Sequence, residues 1–153
     1  MRYDSKLSSV LHVLLHMLGM KAPVTSEALA KMMGTNPVVV RRTMSGLREK
    51  GFVASAKGHG GGWTVACDPA SVTLADIYKA VGEPPIVALG HRSDAPHCLV
   101  EQAVNATLDT TFREVEALFQ ARLAAITLAD LSKDFNRRLA KRGHSLKDHT
   151  HGS

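Results

Sequence analysis

The side chains best suited to chemistry fall near the end of a predicted loop at residues 83–98. His91, His97 and Cys98 flank or follow a run that is poor in hydrophobic residues. A thiol between a histidine and the start of a helix ionises readily, because an imidazolium and a helix N-terminus both stabilise the thiolate. Cys98 is therefore either a redox-sensing thiol or a small residue that fills a groove between subunits, and its context favours neither.

Other residues of ligand or nucleophile type give weaker signals. His12 and His16 lie one helical turn apart, a spacing that can chelate a metal, but no HExxH context accompanies them. Surface or half-buried histidines are the better interpretation. The two cysteines, Cys67 and Cys98, are too few for a disulfide framework and suit a reducing compartment. No nucleophile, base and orienting group occur together outside the loop, so we do not expect an enzyme.

Three arginines lie on one face of a predicted helix. Asn36-Pro37 predicts the start of this helix and Gly51 its end. Its apolar face carries Val40, Met44 and Leu47, and its opposite face carries Arg41, Arg42, Ser45 and Arg48. Such polar and basic side chains contact phosphates and bases in DNA. A solvated charged face has the same composition, so the helix alone does not decide.

A shorter helix and a turn precede the basic helix. Ser26 is predicted to cap this shorter helix, and Gly34 supplies the backbone freedom that ends it. Two helices joined in this way are typical of a helix-turn-helix, whose second helix enters the major groove of DNA.

A β-hairpin is predicted directly after the basic helix. Two short strands flank the turn Lys57-Gly-His-Gly-Gly-Gly62, in which Lys57 and His59 are the basic residues. A hairpin in this position is the wing of a winged helix, and its glycines let the backbone approach phosphates or the minor groove. A dinucleotide-binding loop is disfavoured, because a strand follows these glycines where that motif requires a helix.

The charge distribution favours a polyanionic partner, of which double-stranded DNA is the simplest. Residues 1–62 hold nine Lys or Arg and three Asp or Glu, a net charge of +6, whereas the remainder of the chain has a net charge of −1. No stretch is long and apolar enough to span a membrane, so a cytoplasmic location is expected. The predicted DNA contacts are Ser26, Asn36, Arg41, Arg42, Ser45, Arg48, Lys57 and His59.

The remaining helices complete a mainly α fold with a small β-hairpin wing, a winged helix-turn-helix plus a long dimerisation helix. A core helix is predicted over about residues 5–18, and Thr73-Leu-Ala-Asp76 is a capping box that opens a helix to about Val81. Thr127-Leu-Ala-Asp130 repeats that capping box before a last helix. We predict a winged domain at 1–82, a sensor and linker loop at 83–98, a helical dimerisation region at 99–142 and a disordered tail at 143–153.

The long helix, predicted from about Cys98 to Ala125, carries a narrow apolar seam. Its members are spaced by four and three: Val104, Leu108, Phe112, Val115, Phe119, Leu123 and Ile126. A small winged domain has too little surface to cover such a seam, so packing against a second copy is expected. The predicted dimerisation residues are Leu108, Phe112, Val115 and Phe119.

Three segments together resemble the signature of Rrf2-type transcriptional regulators. These segments are Leu47-Arg-Glu-Lys-Gly-Phe-Val, Lys57-Gly-His-Gly-Gly-Gly-Trp and Val72-Thr-Leu-Ala-Asp-Ile-Tyr-Lys-Ala-Val81. The resemblance extends to about Leu131. It implies a winged-helix homodimer that represses or activates genes, with the long helix as dimer element and the recognition helices in successive major grooves.

Iron–sulfur members of that family carry three cysteines in the loop before the long helix. Here only Cys98 matches, at the position of the last of those ligands, while His91 and Ser93 or Asp94 stand where the others would be sought. The count excludes a three-cysteine cluster within one chain, so neither a metal nor another cofactor is expected. The chain therefore resembles the cluster-free, YwnA-like subgroup.

We therefore predict a sequence-specific DNA-binding regulator, acting as a homodimeric repressor and responsive through the loop around Cys98. Its signal is an oxidant, a small organic effector bound between the winged domain and the long helix, or a metal or atypical cluster. The last would be held by His91, His97, Cys98 and Glu101. A winged-helix adaptor that binds protein is the alternative, and it would bind without the salt dependence of a DNA contact.

Overall fold

The computed structural model of the protein describes residues 5–87, 89–91 and 97–142. The predicted tail, Ser93 and Asp94 lie outside these ranges. The described elements are six helices and one hairpin: α1 (Lys6–Leu18), α2 (Ser26–Met33), α3 (Pro37–Glu49), β1 (Val53–Ala56), β2 (Gly62–Val65), α4 (Leu74–Ala80), α5 (Leu99–Ala124) and α6 (Leu128–Arg142). The predicted fold, mainly α with a hairpin wing, is confirmed.

The core of the winged domain forms between α1, α2 and α3. Val10, Val13 and Leu14 of α1 are fully buried, because each lies on the apolar stripe that a 3.6-residue period places on one side of the helix. They share a continuous apolar cluster with Leu29 of α2 and with Val40, Met44 and Leu47 of α3. The apolar face predicted for α3 is thereby confirmed, and its polar face is left on the outside.

Side-chain caps fix where α2 and α3 begin. Thr25 caps α2, since its hydroxyl oxygen accepts a hydrogen bond from the Ala28 N–H at 3.1 Å. The prediction that Ser26 is the cap was wrong by one residue. Asn36 caps α3 as predicted, and its side-chain oxygen accepts from the N–H groups of Val38 and Val39 at 3.0 and 3.1 Å.

The wing is anchored to the chain just before α2. β1 and β2 pair antiparallel with Ser55 opposite Trp63, and Trp63 also forms an isolated bridge with Val24 through hydrogen bonds of 2.8 and 2.9 Å. Gly62 makes this bridge possible, because a Cβ at that position would lie 2.5 Å from the Val24 carbonyl oxygen. At least one wing glycine is therefore required by packing inside the domain.

Helices α4 and α6 begin with matching capping boxes, and these two helix starts lie side by side. Thr73 and Asp76 cap α4 reciprocally, and Thr127 and Asp130 do the same for α6. The two segments pair side by side through a bridge between Thr73 and Thr127, which brings the start of α6 back to the winged domain. Leu128 is fully buried in the domain core as a result. The predicted domain boundaries stay a prediction, but α6 packs with the winged domain.

The long helix α5 differs from every helix of the winged domain, because none of its 26 residues is buried. Its C-terminal part touches α4, where the ring of Phe119 packs edge-on against Tyr78 with 5.4 Å between centroids. Its N-terminal part carries large exposed side chains, including Leu99 at 79%, Val100 at 72% and Val104 at 51% exposure. None of the described helices has the length and hydropathy needed to cross a membrane.

Candidate DNA-binding surface and sensor segment

The outer face of α3 presents the basic side chains that the sequence predicted. Arg41, Arg42 and Arg48 are exposed, whereas Ser45 is half-buried. Arg41 also pairs with Glu27 of α2 at 3.3 Å, with both side chains more than half exposed. A surface pair of this kind stabilises the fold little, so it leaves Arg41 available to a stronger anion such as a phosphate.

Arg48 contacts the wing, which sequence reasoning did not foresee. One guanidinium nitrogen donates to the Ser55 hydroxyl at 3.1 Å, and the guanidinium carbon lies 5.8 Å from the centre of the Trp63 ring. Ser55 and Trp63 are cross-strand partners and so present their side chains on the same face of the hairpin. Arg48 thus joins the last turn of α3 to both strands of the wing.

Ser26 is also engaged with the wing. Its hydroxyl oxygen accepts a hydrogen bond of 3.0 Å from the indole N–H of Trp63. Trp63 therefore links the start of α2, the end of α3 and β2 through Ser26, Arg48 and the bridge to Val24. Strand alternation could have placed Trp63 beside Ser55, but the contacts with the two helices required the tertiary structure.

The wing tip, residues 57–61, projects without covering side chains. Lys57 and His59 are exposed, and Gly58 and Gly60 have φ angles of 88° and 74°. Such values favour glycine over residues with a Cβ. The tip is consequently a narrow, basic loop with little side-chain bulk, a shape suited to a phosphate backbone or a minor groove.

Two apolar residues at the start of α3 were missed as candidates. Val38 is 62% exposed and Val39 40% exposed, although most valines of the domain are buried. The first turn of a recognition helix is the part that reaches base edges in the major groove, where an apolar side chain can contact the thymine methyl group. Asn36-Pro37 predicts the start of α3 and therefore places both valines in its first turn. Their exposure to solvent could be seen only in the structure.

The sensor residues divide into two separate places. His91 lies beside α5, where its Nε2 atom is 2.7 Å from Asp109 Oδ1. Cys98 lies immediately before the first residue of the same helix, eleven positions before Asp109. At 1.5 Å per helical residue this separation is roughly 16 Å along the axis. The four-ligand set of His91, His97, Cys98 and Glu101 is therefore not assembled within the described part of one chain.

Cys98 and Cys67 differ in environment. Cys98 is exposed at the N-terminus of α5, where the backbone N–H of Glu101, followed by that of Val100, holds the pKa of its thiol below the usual value. Its sulfur does not accept a full capping hydrogen bond. Cys67 is half-buried next to β2, and burial raises the pKa of its thiol. The thiolate is thus favoured at Cys98 and disfavoured at Cys67.

The predicted dimerisation residues all lie on α5 and remain incompletely covered. Leu108, Phe112 and Phe119 are half-buried, and Val115 is 41% exposed. Phe119 differs from the others, because it already contacts Tyr78 within its own chain. The seam is therefore more exposed to solvent in the first three turns and at the centre of α5 than at Phe119.

A three-helix core, a helix-turn-helix with a basic outer face and a hairpin that follows the second helix define a winged-helix DNA-binding protein. The Rrf2 family model, described as an iron-dependent transcriptional regulator, matches residues 3–134. The chain belongs to the Rrf2 family and is a DNA-binding transcriptional regulator.

Individual relatives agree with this assignment. YwnA of Bacillus subtilis (strain 168), assigned as an HTH-type transcriptional regulator, is 32% identical over 128 residues that cover 84% of this chain and 95% of YwnA. The regulator IscR of Vibrio atlanticus (strain LGP32) is 26% identical and covers 84% of this chain and 70% of IscR. A Lactobacillus plantarum crystal structure, also assigned as a transcriptional regulator, has a TM-score of 0.72 at 25% identity, covering 92% of this chain and 95% of that one. The predicted resemblance to Rrf2-type regulators is confirmed.

The family description mentions iron, which is a property of the family and not an observation on this chain. The iron–sulfur cluster carried by some members of the family needs three cysteine thiolates, and this chain has only Cys67 and Cys98. Those two occupy different environments, one beside β2 and one at the start of α5. Within residues 5–87, 89–91 and 97–142, no three His, Cys, Asp or Glu side chains gather in a metal-binding group. The chain does not supply the ligand set of a three-cysteine cluster.

Proposed function

We propose that this regulator binds its operator as a homodimer, with α3 in the major groove, the wing on the phosphate backbone and α5 as the dimer element. The observation that carries the proposal is the arrangement of α3. One face of this helix is fully buried through Val40, Met44 and Leu47, and the other presents arginines beside a basic wing. A dimer places two such surfaces one helical turn of DNA apart, which matches a palindromic operator.

Within the DNA-binding surface we assign different tasks to different residues. Arg41, Arg42 and Ser45 lie on the outer face of α3 and supply base and phosphate contacts. Asn36 uses its side-chain oxygen for the helix cap but keeps its amide N–H groups for a phosphate. Lys57 and His59 at the wing tip contact the backbone or the minor groove.

Ser26 and Arg48 act on DNA chiefly by holding the wing. Their polar groups are already bonded to Trp63 and Ser55, at 3.0 and 3.1 Å respectively. Arg48 retains further N–H donors that can reach a phosphate while this contact is kept, because a guanidinium has five N–H groups.

Val38 and Val39 add apolar contacts with thymine methyl groups. Their exposure on the first turn of α3 supports this assignment. Replacing thymine by uracil removes only the methyl group. We therefore expect single uracil substitutions in the operator to weaken binding of the wild-type chain, and to weaken binding of Val38→Ala and Val39→Ala less at the matching base.

Regulation works through the segment that joins the winged domain to α5. Cys98 is exposed at the start of α5 with a lowered thiol pKa, so an oxidant reaches it more readily than Cys67. A group added to Cys98 changes how α5 begins, and a small rotation of α5 respaces the two recognition helices. No metal or other cofactor is needed for this route. Repression is the regulatory sense we favour, because a dimer that covers its operator excludes other proteins without further contacts.

The experiment that tests the proposal is a titration of duplex DNA with the full chain at several salt concentrations. We expect two chains per operator and a log K that falls with log salt by several units, since each neutralised phosphate contributes about 0.9 to the slope. Lys57→Ala should reduce that slope by about one unit without changing sequence preference. Salt-insensitive or undetectable binding to duplex DNA would favour the protein-binding adaptor instead. Salt-dependent binding with no preference for any duplex would contradict a sequence-specific regulator.

A further inference from the structure

A pocket of about 320 Å³ lies between α1 and α6, away from α3, the wing and Cys98. Its lining residues are Ser8, Leu11, His12, Leu15, His16 and Phe135. This volume is at the lower end of ordinary small-molecule sites, which span roughly 300–1,000 Å³. We infer that the pocket binds a small aromatic carboxylate of one or two rings and that the ligand modulates operator binding.

The lining separates into an apolar wall and a column of hydrogen-bond donors. Leu11 and Leu15 lie one turn apart on α1, and Phe135 faces them from α6. Ser8, His12 and His16 follow at the same four-residue interval on the neighbouring line of α1, so they form a polar edge along one side of the pocket. A planar ring fits against the apolar wall while its substituent meets the donors.

The polar edge selects the chemistry of that substituent. The imidazole rings of His12 and His16 stack with 4.8 Å between centroids, and the His16 ring lies 6.5 Å from that of Phe135. The His12 imidazole and the Ser8 hydroxyl can both donate hydrogen bonds, and the described residues lining the pocket include no carboxylate. The pocket therefore complements a hydrogen-bond acceptor, and a carboxylate placed there meets no like charge among these lining residues.

The position of the pocket gives the ligand a way to influence DNA binding. α1 supplies Val10, Val13 and Leu14 to the core beneath the helix-turn-helix. α6 follows α5 directly and is tied to the winged domain at Thr127. A molecule held between α1 and α6 therefore favours one disposition of α5 relative to the winged domain, and that disposition sets the half-site spacing.

Direct binding is measured on the DNA-free full chain with 1-naphthoate as probe and the neutral 1-naphthamide as its matched analogue. Histidine ring signals in NMR spectra report the site, and calorimetry gives the affinity. We expect saturable shifts of the His12 and His16 signals and an affinity for the acid at least about fivefold above that for the amide. Absence of saturable shifts, or equal affinities for acid and amide, would overturn the inference.

Substitutions locate the site on α1. His12→Ala and Ser8→Ala should each weaken 1-naphthoate binding by about fivefold, because each removes one hydrogen-bond donor. Ser9→Ala is the matched control, since Ser9 is on the same helix but does not line the pocket. Circular dichroism of each variant checks that the fold is retained. Unchanged affinity in His12→Ala and Ser8→Ala, with the fold intact, would refute the assignment.

Two further readouts distinguish a regulatory ligand pocket from a surface that a second copy of the chain covers. Sedimentation of the ligand-bound chain should show the same mass as the free chain, whereas dissociation by 1-naphthoate would mean that a second copy normally covers the pocket and would overturn the inference. Operator affinity in saturating 1-naphthoate should change by at least about threefold, and no change would refute the regulatory role. This last step rests on the proposed function, which the operator affinity of the ligand-free chain tests separately.

Discussion

The winged domain and α5 use apolar residues in opposite ways. In the winged domain, Val10, Val13, Leu14, Val40, Met44 and Leu47 are almost fully removed from solvent within one chain. In α5 none of the 26 residues is buried, although the helix carries an apolar residue at nearly every third or fourth position. A folded domain is stabilised by burying apolar side chains. The apolar side chains of α5 are not buried within the described part of the chain, so they form an exposed apolar surface.

The contrast shows which part of the molecule is complete as a single chain. The winged domain positions the proposed DNA-binding surface without a second chain, because the helix caps, the bridge at Trp63 and the contacts of Arg48 all lie within it. We propose that a second surface of similar shape covers the seam on α5. A second α5 is the simplest such surface, since a two-fold dimer brings identical patches together.

The largest expected effect is on α5 at the centre of the seam. Phe112→Asp should abolish dimerisation and lower operator affinity by about 100-fold or more, equivalent to ~2.7 kcal/mol, because a carboxylate cannot be buried unpaired in an apolar interface. Thr111→Asp is the matched control, since Thr111 is an exposed neighbour that is not part of the seam. Sedimentation and operator titration measure both properties. A dimeric Phe112→Asp with normal DNA affinity would place the interface elsewhere.

A loss of affinity without loss of the dimer is expected on the outer face of α3. Arg41→Ala should weaken operator binding by about 1–3 kcal/mol if the guanidinium reads a guanine, and it should leave the dimer intact. Lys79→Ala on α4 removes an equal charge from an exposed position outside the proposed surface. Titration of both variants against the operator separates a specific contact from a change in net charge. Equal affinities for Arg41→Ala, Lys79→Ala and wild type would count against α3 as the recognition helix.

The contact between α3 and the wing allows a sharper test within the winged domain. Arg48→Ala and Ser55→Ala should each weaken DNA binding, by up to about 1.5 kcal/mol. The double variant should bind DNA as tightly as whichever single variant binds it less tightly. Such non-additivity follows if Arg48 acts through the 3.1 Å hydrogen bond to Ser55. Additive losses, with Arg48→Ala changing the preference at one base pair, would mean that Arg48 reads DNA directly.

The smallest effects are expected at the two thiols. A lowered pKa increases the thiolate fraction below the ordinary thiol pKa, so Cys98 should react with iodoacetamide near pH 7 faster than Cys67, whose raised pKa keeps it protonated. Mass spectrometry of timed samples gives the two rates. Peroxide should then change operator affinity in wild type and Cys67→Ser but not in Cys98→Ser. If wild type and Cys98→Ser respond alike, the signal enters by another route.

The sequence predicted features that depend on neighbouring residues along the chain. The Asn36 cap of α3, the Thr73 and Thr127 capping boxes and the spacing of Val40, Met44 and Leu47 are local patterns, and the structure contains all of them. The cap of α2 was misplaced by one residue, because Thr25 and Ser26 are both good capping residues and only the backbone distinguishes them.

Features that depend on contacts between distant segments were not predictable. Trp63 joins Ser26 and Arg48 across 37 and 15 positions, and no local pattern indicates that pairing. His91 was grouped with Cys98 because the two are close in sequence, yet its ring lies beside Asp109, three turns further along α5. Proximity along a loop is a poor guide to proximity in space, since a loop can follow a helix in either direction.

The completion of α5 by a second copy of the chain is tested most directly by sedimentation equilibrium of the wild-type protein without DNA. At micromolar concentration we expect a single species of twice the 16.5 kDa chain mass, because an exposed seam of this length is not stable in water as a monomer. The same mass should be found in low and high salt, since apolar contacts are not screened. A stable monomer at these concentrations would contradict the assignment of α5 as the dimer element.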